Sequence, residues 1–300
     1  SPEIAIGYTE NRFPNPNITW ETSEMFNVGV DASFFNSKLT LEADYFYKIT
    51  RDILRERTDM PGILGYKLPA ANVGTVDNRG IDMNLSHRNT VGEFNYSVTG
   101  NLTWARNKVI DLLEPAGQKN NPNTRITGRP MNQQFGYEAL GLFQSDEEAS
   151  SWNQSKIVGY TQYAGDIKFA DLNGDGEVTR GENTVNNSGD LKIIGNETPR
   201  YNFGIRGTAE YKGFDFTLFF QGTMKRDIIP SKTFYLSHYT SEWSVPQKMN
   251  YDYWREDNRD AFFPRARMNG SAVNENQTRF MLNGAYIRCK QFALGYTIPK

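Results

Sequence analysis

Apolar and polar residues alternate at every second position in many separate stretches of this 300-residue chain. Phe26, Val28, Val30, Ala32 and Phe34 alternate with Asn27, Gly29, Asp31 and Ser33; Leu39, Leu41, Ala43, Tyr45 and Tyr47 follow with Thr40, Glu42 and Asp44 between them. The pattern returns over Ile81–Leu85, Phe94–Trp104, Tyr201–Tyr211, Phe214–Phe220 and a last run near Tyr286–Ile298. Side chains point to opposite faces along a strand, so each run has one apolar and one polar face. No stretch repeats as strongly at helical spacing. Short turns such as Asn36-Ser37 and Lys212-Gly213 join the runs in pairs. The pattern predicts an all-β, antiparallel chain of hairpins, about eight strands in all.

Between the pairs the connections are long: 51–78, 108–133, 144–200 and 225–279, rich in Asn, Gly, Pro and Asp. Short turns on one side and long loops on the other form a directional pattern. A β-sandwich also alternates, but it has no reason to segregate its loops. A transmembrane β-barrel does, with short periplasmic turns and long extracellular loops. The runs are long enough for tilted strands to cross hydrocarbon, and aromatics at their ends (Tyr45, Phe46, Tyr47, Trp104, Tyr201, Tyr211, Phe214, Tyr296) stand where interfacial girdles belong. Strand length and loop asymmetry favour a portion of such a barrel, in contact with outer-membrane lipid.

Composition mostly excludes. Thirty-three basic against 35 acidic residues leave a net charge of −2, without the basic bias of a nucleic-acid binder. With 38% hydrophobic and 13% aromatic residues the chain is too apolar for disorder. One cysteine, Cys289, and two histidines, His87 and His238, argue against an internal disulfide, a thiolate cage or a histidine-rich metal site. No apolar run is long enough for a transmembrane helix. Ser1-Pro2-Glu3-Ile4 carries neither a basic start nor an apolar signal core.

One segment carries metal chemistry. Residues 171–182 read DLNGDGEVTRGE and fit the calcium-loop pattern D-x-[DN]-x-[DN]-G-x5-E. Calcium wants six to eight hard oxygens: Asp171, Asn173 and Asp175 offer side chains, Glu177 its carbonyl, Thr179 a direct or water-bridged oxygen, and Glu182 a bidentate carboxylate. A solvated turn explains NGDG equally, but does not require the acid at the twelfth position. The flanks are not clearly helical, so the expectation is an EF-hand-like loop that stiffens the 144–200 connection.

Other candidates are weaker. Trp152, Tyr160, Tyr163, Trp243, Tyr251, Tyr253 and Trp254 fall in the long loops, where they either stack on sugar rings or pack the loops together. No nucleophile stands at a spacing suited to a dyad, and no carboxylate pair is placed for glycoside hydrolysis. No catalytic residue is assigned.

Several blocks together resemble the SusC/RagA-type TonB-linked outer-membrane transporters. They are Asn15-Pro16-Asn17-Ile18-Thr19-Trp20-Glu21-Thr22 leading into Phe26–Asp31; Ala43-Asp44-Tyr45-Phe46-Tyr47-Lys48; Asn72-Val73-Gly74 with Asn78-Arg79-Gly80-Ile81-Asp82; Gly165–Gly176; Ile194–Tyr201 with Tyr211-Lys212-Gly213-Phe214-Asp215; and Tyr286-Ile287-Arg288 with Leu294–Pro299. The resemblance covers nearly the whole chain. It implies active import of a large nutrient, a glycan or a peptide, across a Gram-negative, Bacteroidetes-like outer membrane. It also implies a SusD-like surface lipoprotein as lid, TonB as the energy source, and no bond chemistry. The family's plug domain and TonB box are absent from these 300 residues, so the expectation is a C-terminal part of the barrel with its outer loops. The alternative from another class is a secreted, calcium-stabilised all-β carbohydrate-binding or adhesin module.

Overall fold

The computed structural model describes residues 14–57, 69–230, 236, 239, 245–267 and 272–299. In chain order the strands are β1 (Thr22–Phe34), β2 (Leu39–Glu56), β3 (Ala70–Val91), β4 (Phe94–Asp111), β5 (Gln133–Tyr137), β6 (Ala139–Leu142), β7 (Ile167–Phe169), β8 (Leu191–Asn196), β9 (Tyr201–Tyr211), β10 (Phe214–Met224), β11 (Asp227–Ile228), β12 (Leu282–Asn283) and β13 (Tyr286–Tyr296). Among the described residues the main sheet has seven strands in the order β1-β2-β3-β4-β9-β10-β13, every neighbouring pair antiparallel. That is one fewer than the approximate count read from periodicity. The small strands pair among themselves as β5-β8, β6-β7 and β11-β12.

Register turns the alternation of single strands into a property of the sheet. Directly opposed residues share a face, so Val28, Tyr45, Ile81, Trp104, Tyr201 and Met224 form one row across it. Val91, Phe94, Tyr211, Phe214 and Tyr296 form another near the short turns. Between these lie mainly aliphatic rows, such as Ala43–Met83–Leu102 and Leu41–Leu85. A slip of one residue in any pair would exchange its faces, so the apolar pattern itself fixes the register. Trp104 and Phe94 stand ten residues apart on β4. At about 3.3 Å per residue and a tilt of about 40°, ten residues rise about 25 Å, the height of the apolar band on an outer-membrane barrel. Aromatics border both ends: Tyr45, Trp104 and Tyr201 at one, and Phe94, Tyr96, Tyr211, Phe214, Phe216 and Tyr296 at the other; Phe46, expected among them, lies instead on the opposite face over Gly80, because alternation turns it away from Tyr45. His87 lies near the second girdle, stacked on Tyr96 at 5.5 Å.

The opposite face carries Asp31, Glu42, Asn84, Asn101, Gly204 and Gln221 in one row. Short turns close all three hairpins at the same end. Phe35, Asn36 and Ser37 all have positive φ in the first, and Lys212-Gly213 (φ 45° and 85°) matches the two-residue turn that suits the strand twist. The long connections leave from the other end, as the sequence predicts. They begin later than expected, however. β2 and β3 are 18 and 22 residues long, so much of 51–78 is paired strand. A bulge between Thr50 and Ile53, with Asp52 at φ 58°, absorbs extra residues without ending the ladder.

The exposed side chains of one face place this sheet's environment. Val28, Ile81, Leu85, Phe214, Phe292 and Leu294 are among the large apolar side chains exposed. A continuous apolar face of this height is incompatible with water and suited to hydrocarbon.

Close strand approach is most sensitive at Gly80. A Cβ there would lie 2.2 Å from the Trp104 carbonyl oxygen and 2.5 Å from the Phe46 ring, which lies over the glycine from the opposed position on β2. Gly100, on the apolar face, has nothing within 4 Å of such an atom. Gly80→Val is therefore expected to abolish or strongly reduce the heat-modifiable folded band of the full-length protein on gels, whereas Gly100→Val leaves it in place. Equal band intensity for the two variants would contradict the close packing at Gly80.

Candidate functional site

Packed together the long loops make a cap over the outer end of the sheet. Its core joins Tyr137, Leu142, Ile167, Phe169, Val178 and Leu191 from 112–200 to Leu236, Tyr239, Trp254, Phe263, Val273 and Phe280 from 225–285. Tyr137 stacks on Phe169 at 4.9 Å. Burial pushes the Tyr137 hydroxyl up to about 12, with the nearby Arg180 partly offsetting it. Burial also raises Tyr160 and Tyr239. Three short helices lie in the first of these segments: α1 (Ala116–Asn120), α2 (Asp146–Ser151) and α3 (Ser155–Val158). Ser145 caps α2 by accepting from the Glu148 backbone N–H at 3.2 Å, and three acids occupy its first turn.

Two polar devices hold the cap. Gln154, fully buried, donates to the Ile167 carbonyl at 2.8 Å and accepts from the Phe169 N–H at 3.1 Å, so its amide mimics a strand neighbour for β7. Asp166, 1% exposed, accepts from the Tyr163 N–H at 3.0 Å and from Arg267 Nη2 at 2.7 Å. The same guanidinium lies 4.8 Å from the Tyr160 ring centroid and 5.1 Å from that of Tyr163, and donates to the Thr161 carbonyl. One arginine from the second long loop is thus clamped by a carboxylate and two aromatic rings of the first.

The predicted metal loop is half assembled. Asp171 accepts from the N–H groups of Gly174 and Gly176 at 2.7 and 2.8 Å, Asn173 from that of Asp175, Asp175 from that of Glu177, and Thr179 Oγ1 from that of Gly181. Gly176 takes φ 84°, the left-handed conformation that its position needs. The Glu177 carboxylate binds Lys156 at 2.6 Å and Asn153 at 3.1 Å, while the atom expected to face an ion is its backbone carbonyl. Glu182 is exposed, and no group of three or more His, Cys, Asp or Glu stands close enough to hold a metal among the described residues. The turn of Asp171, Asn173 and Asp175 is formed, and Glu182 is not gathered with Asp171 and Asp175 into one cluster.

A residue outside the motif organises the loop. Asp190 is fully buried and accepts from the N–H groups of Leu172 at 2.6 Å and Thr179 at 2.7 Å, tying the two ends of 171–182 together. Nothing in the local sequence distinguishes it, since its partners lie 11 and 18 residues away. Arg180 leaves the loop to bind both oxygens of Glu275 at 2.7 and 2.8 Å.

The aromatic candidates divide. Trp254 is buried in the cap core, so it has no free ring face to offer a sugar. Trp152 donates through Nε1 to the Phe169 carbonyl and carries Lys168 over its ring at 4.2 Å. Tyr160 is held by the Ala272 N–H and by Arg267. Tyr163 keeps 40% exposure, and Trp243 and His238 lie outside the described residues. Cap packing accounts for most of the aromatic content of these loops.

A registered apolar band with aromatic borders, short turns at one end and a packed cap at the other define the architecture. The family model described as TonB dependent receptor-like, beta-barrel matches residues 2–202. The chain belongs to this family. TonB-dependent receptor P26 of Formosa agariphila is 30% identical over 98% of this chain, and TonB-dependent receptor P3 of the same organism 28% over 96%. TonB-dependent receptor SusC of Bacteroides thetaiotaomicron is 22% identical over 94%. The chain spans 29%, 28% and 26% of these relatives, under a third of each. Among solved structures it is similar to the RagAB peptide importer in the "open-open" state, with a TM-score of 0.70, 21% identity, and coverage of 100% of this chain and 30% of that one. A further structure of the RagAB peptide transporter gives a TM-score of 0.67 at 23% identity, covering 95% of this chain and 30% of that one. The TonB-dependent receptor barrel is an outer-membrane structure, and the family is one of receptors and transporters rather than enzymes. Membership replaces the secreted-module alternative, which leaves the lipid-height apolar face unexplained.

The clamp on Arg267 generates a test. Removing one partner of a buried ion pair typically costs about 3 kcal/mol, because a buried charge is left uncompensated. Arg267→Met in the full-length protein is expected to speed hydrogen exchange across 160–170 while leaving that of β3 and β4 unchanged. Unaltered exchange in 160–170 would show that the clamp does not hold the cap.

Proposed function

We propose that the protein containing this chain imports a large nutrient, a glycan or a peptide, across the outer membrane, driven through TonB and working with a SusD-like surface lipoprotein. The observation that carries this reading is the joining of a lipid-height barrel wall to a cap with its own core. A pore for small solutes needs only a wall, whereas a cap held by ion pairs between its loops supplies a fixed external surface for a cargo or a lid protein. The polar face, with Asp31, Asn84, Asn101 and Gln221, is suited to a water-filled or plugged lumen. The edges β1 and β13 present unpaired backbone groups that hydrocarbon does not tolerate, so further strands of the parent protein would close the barrel. The RagAB peptide importer and SusC support the transport class and leave glycan and peptide both open. The test compares cells with and without the full-length gene, and cells lacking TonB, for uptake of labelled glycan and peptide pools. A loss of about ten-fold for one pool in both deletions is expected; equal uptake of every pool would sink the reading.

We further propose that the 171–182 loop binds calcium as a structural ion. Asp171, Asn173 and Asp175 already stand in the required turn, and Glu182, free at the surface, closes on the ion with Thr179 and the Glu177 carbonyl completing the shell. In the full-length protein, calcium in place of chelator is expected to raise the cap's melting temperature and slow hydrogen exchange over 171–182. Glu182→Gln should shrink both effects. Superimposable melting and exchange with calcium and with chelator would remove the ion from the account.

A further inference from the structure

A cavity of about 220 Å³ lies where the cap is rooted on the sheet. Ala105 and Asn107 of β4 line it, on the face that carries Asn101 and Thr103 and opposite the lipid-facing rows. Arg200 and Lys225 line it from the ends of β9 and β10, beside residues 193–196 of β8. Their backbones are fixed. The Ala105 N–H donates to the Arg200 carbonyl at 3.2 Å, and the Arg200 N–H donates to the Lys225 carbonyl at 3.3 Å. Lys225 sits at φ 54°, the left-handed turn that ends its strand.

The charges in this cavity do not balance. Among the described residues neither Arg200 nor Lys225 makes a side-chain ion pair or hydrogen bond, although eight ion pairs are formed elsewhere. The one carboxylate in the lining, Asp227, accepts from the Asn196 N–H at 2.8 Å. Gln133 belongs to the same lining, and its Oε1 is buried without a hydrogen-bond partner. The cavity thus asks for negative charge and for one hydroxyl or amide hydrogen, in a space the size of a single residue.

Resting on the import reading above, we propose that this cavity binds one acidic sugar residue of a polyanionic glycan. Its carboxylate or sulfate ester would pair with Arg200 and Lys225, and an adjacent ring hydroxyl would donate to Gln133 Oε1. Arginine forks onto such oxygens with strong, charge-assisted hydrogen bonds, and a lining with three cations (Arg106, Arg200, Lys225) against the single carboxylate of Asp227 raises the local concentration of a polyanion. An acidic side chain of a peptide meets the cations and brings its own backbone N–H, but that N–H turns freely about the side-chain bonds, whereas a sugar ring holds the hydroxyl rigidly beside the acid group. The glycan is therefore the better match.

The experiment uses cells deleted for the full-length gene and complemented with wild type, Arg200→Gln/Lys225→Gln or Lys225→Gln alone. Barrel assembly is checked by gel mobility before and after boiling. The probes are fluorescent oligogalacturonate, dextran sulfate, neutral dextran and oligoglutamate. Wild type is expected to restore uptake of at least one acidic glycan, and the double variant to lower it about ten-fold, the size of one lost charge-assisted hydrogen bond. A gain for oligogalacturonate assigns the carboxylate, and one for dextran sulfate the sulfate ester. Lys225→Gln, at an exposed strand end, should lower uptake about three-fold and supplies the reading if the double variant does not assemble. Restoration of dextran or oligoglutamate alone, no restoration of either acidic glycan, or acidic uptake unchanged in the variants would overturn the acidic-sugar site. If the pooled nutrients of the import test still depend on the gene, import stands; if they do not, import falls as well.

Discussion

Backbone N–H and C=O groups that pass through hydrocarbon have no water to bond, and everything in this sheet follows from that constraint. Each strand must be paired along its whole crossing, which makes long antiparallel ladders the only economical arrangement. Pairing then locks register, and register decides whether single-strand alternation adds up to two clean faces. Here it does: Tyr45, Ile81, Trp104 and Tyr201 meet across four strands, as do Glu42, Asn84, Asn101 and Gly204 on the other side. Glycine tunes the same ladders. Phe46 covers Gly80 from the opposed position, which lets a large ring sit on the crowded polar face.

The constraint stops at the membrane boundary, and a different one takes over. Beyond the rim the chain returns to water, where a long loop must bury apolar area or remain unfolded. The two longest loops solve this jointly. Tyr137, Ile167 and Phe169 from one and Trp254, Phe263 and Phe280 from the other make one core between them. Ion pairs, one with a buried carboxylate and one at the surface, then specify how the loops meet. Asp166 with Arg267, and Arg180 with Glu275, are pairings between the loops rather than within them, so the cap assembles as a unit or not at all.

Much of this was readable in the residues because its causes are local. Period-two alternation and the Lys212-Gly213 turn depend on neighbours in sequence, and the sheet has its strands where the alternation lies. The extended ends of β2 and β3 were not visible, because outside the lipid zone a paired strand need not alternate and reads as loop. Asp190 was not visible either, since its role depends on backbone N–H groups 11 and 18 residues away. The same limit applies to Trp254. An aromatic in a polar loop has the same sequence signature whether it waits for a ligand or fills a core, and only the meeting of two distant loops decides.

The 171–182 loop stands at the junction of these effects. Asp190 ties its ends to the core, Lys156 binds the Glu177 carboxylate, and Arg180 leaves it for Glu275 of the other long loop. A loop held only from within could change conformation without consequence. This one cannot, because moving Glu182 inward to close a metal shell displaces the chain just beyond Arg180, and Arg180 carries the contact with Glu275. An ion bound there would therefore act on the joint between the two loops that form the cap.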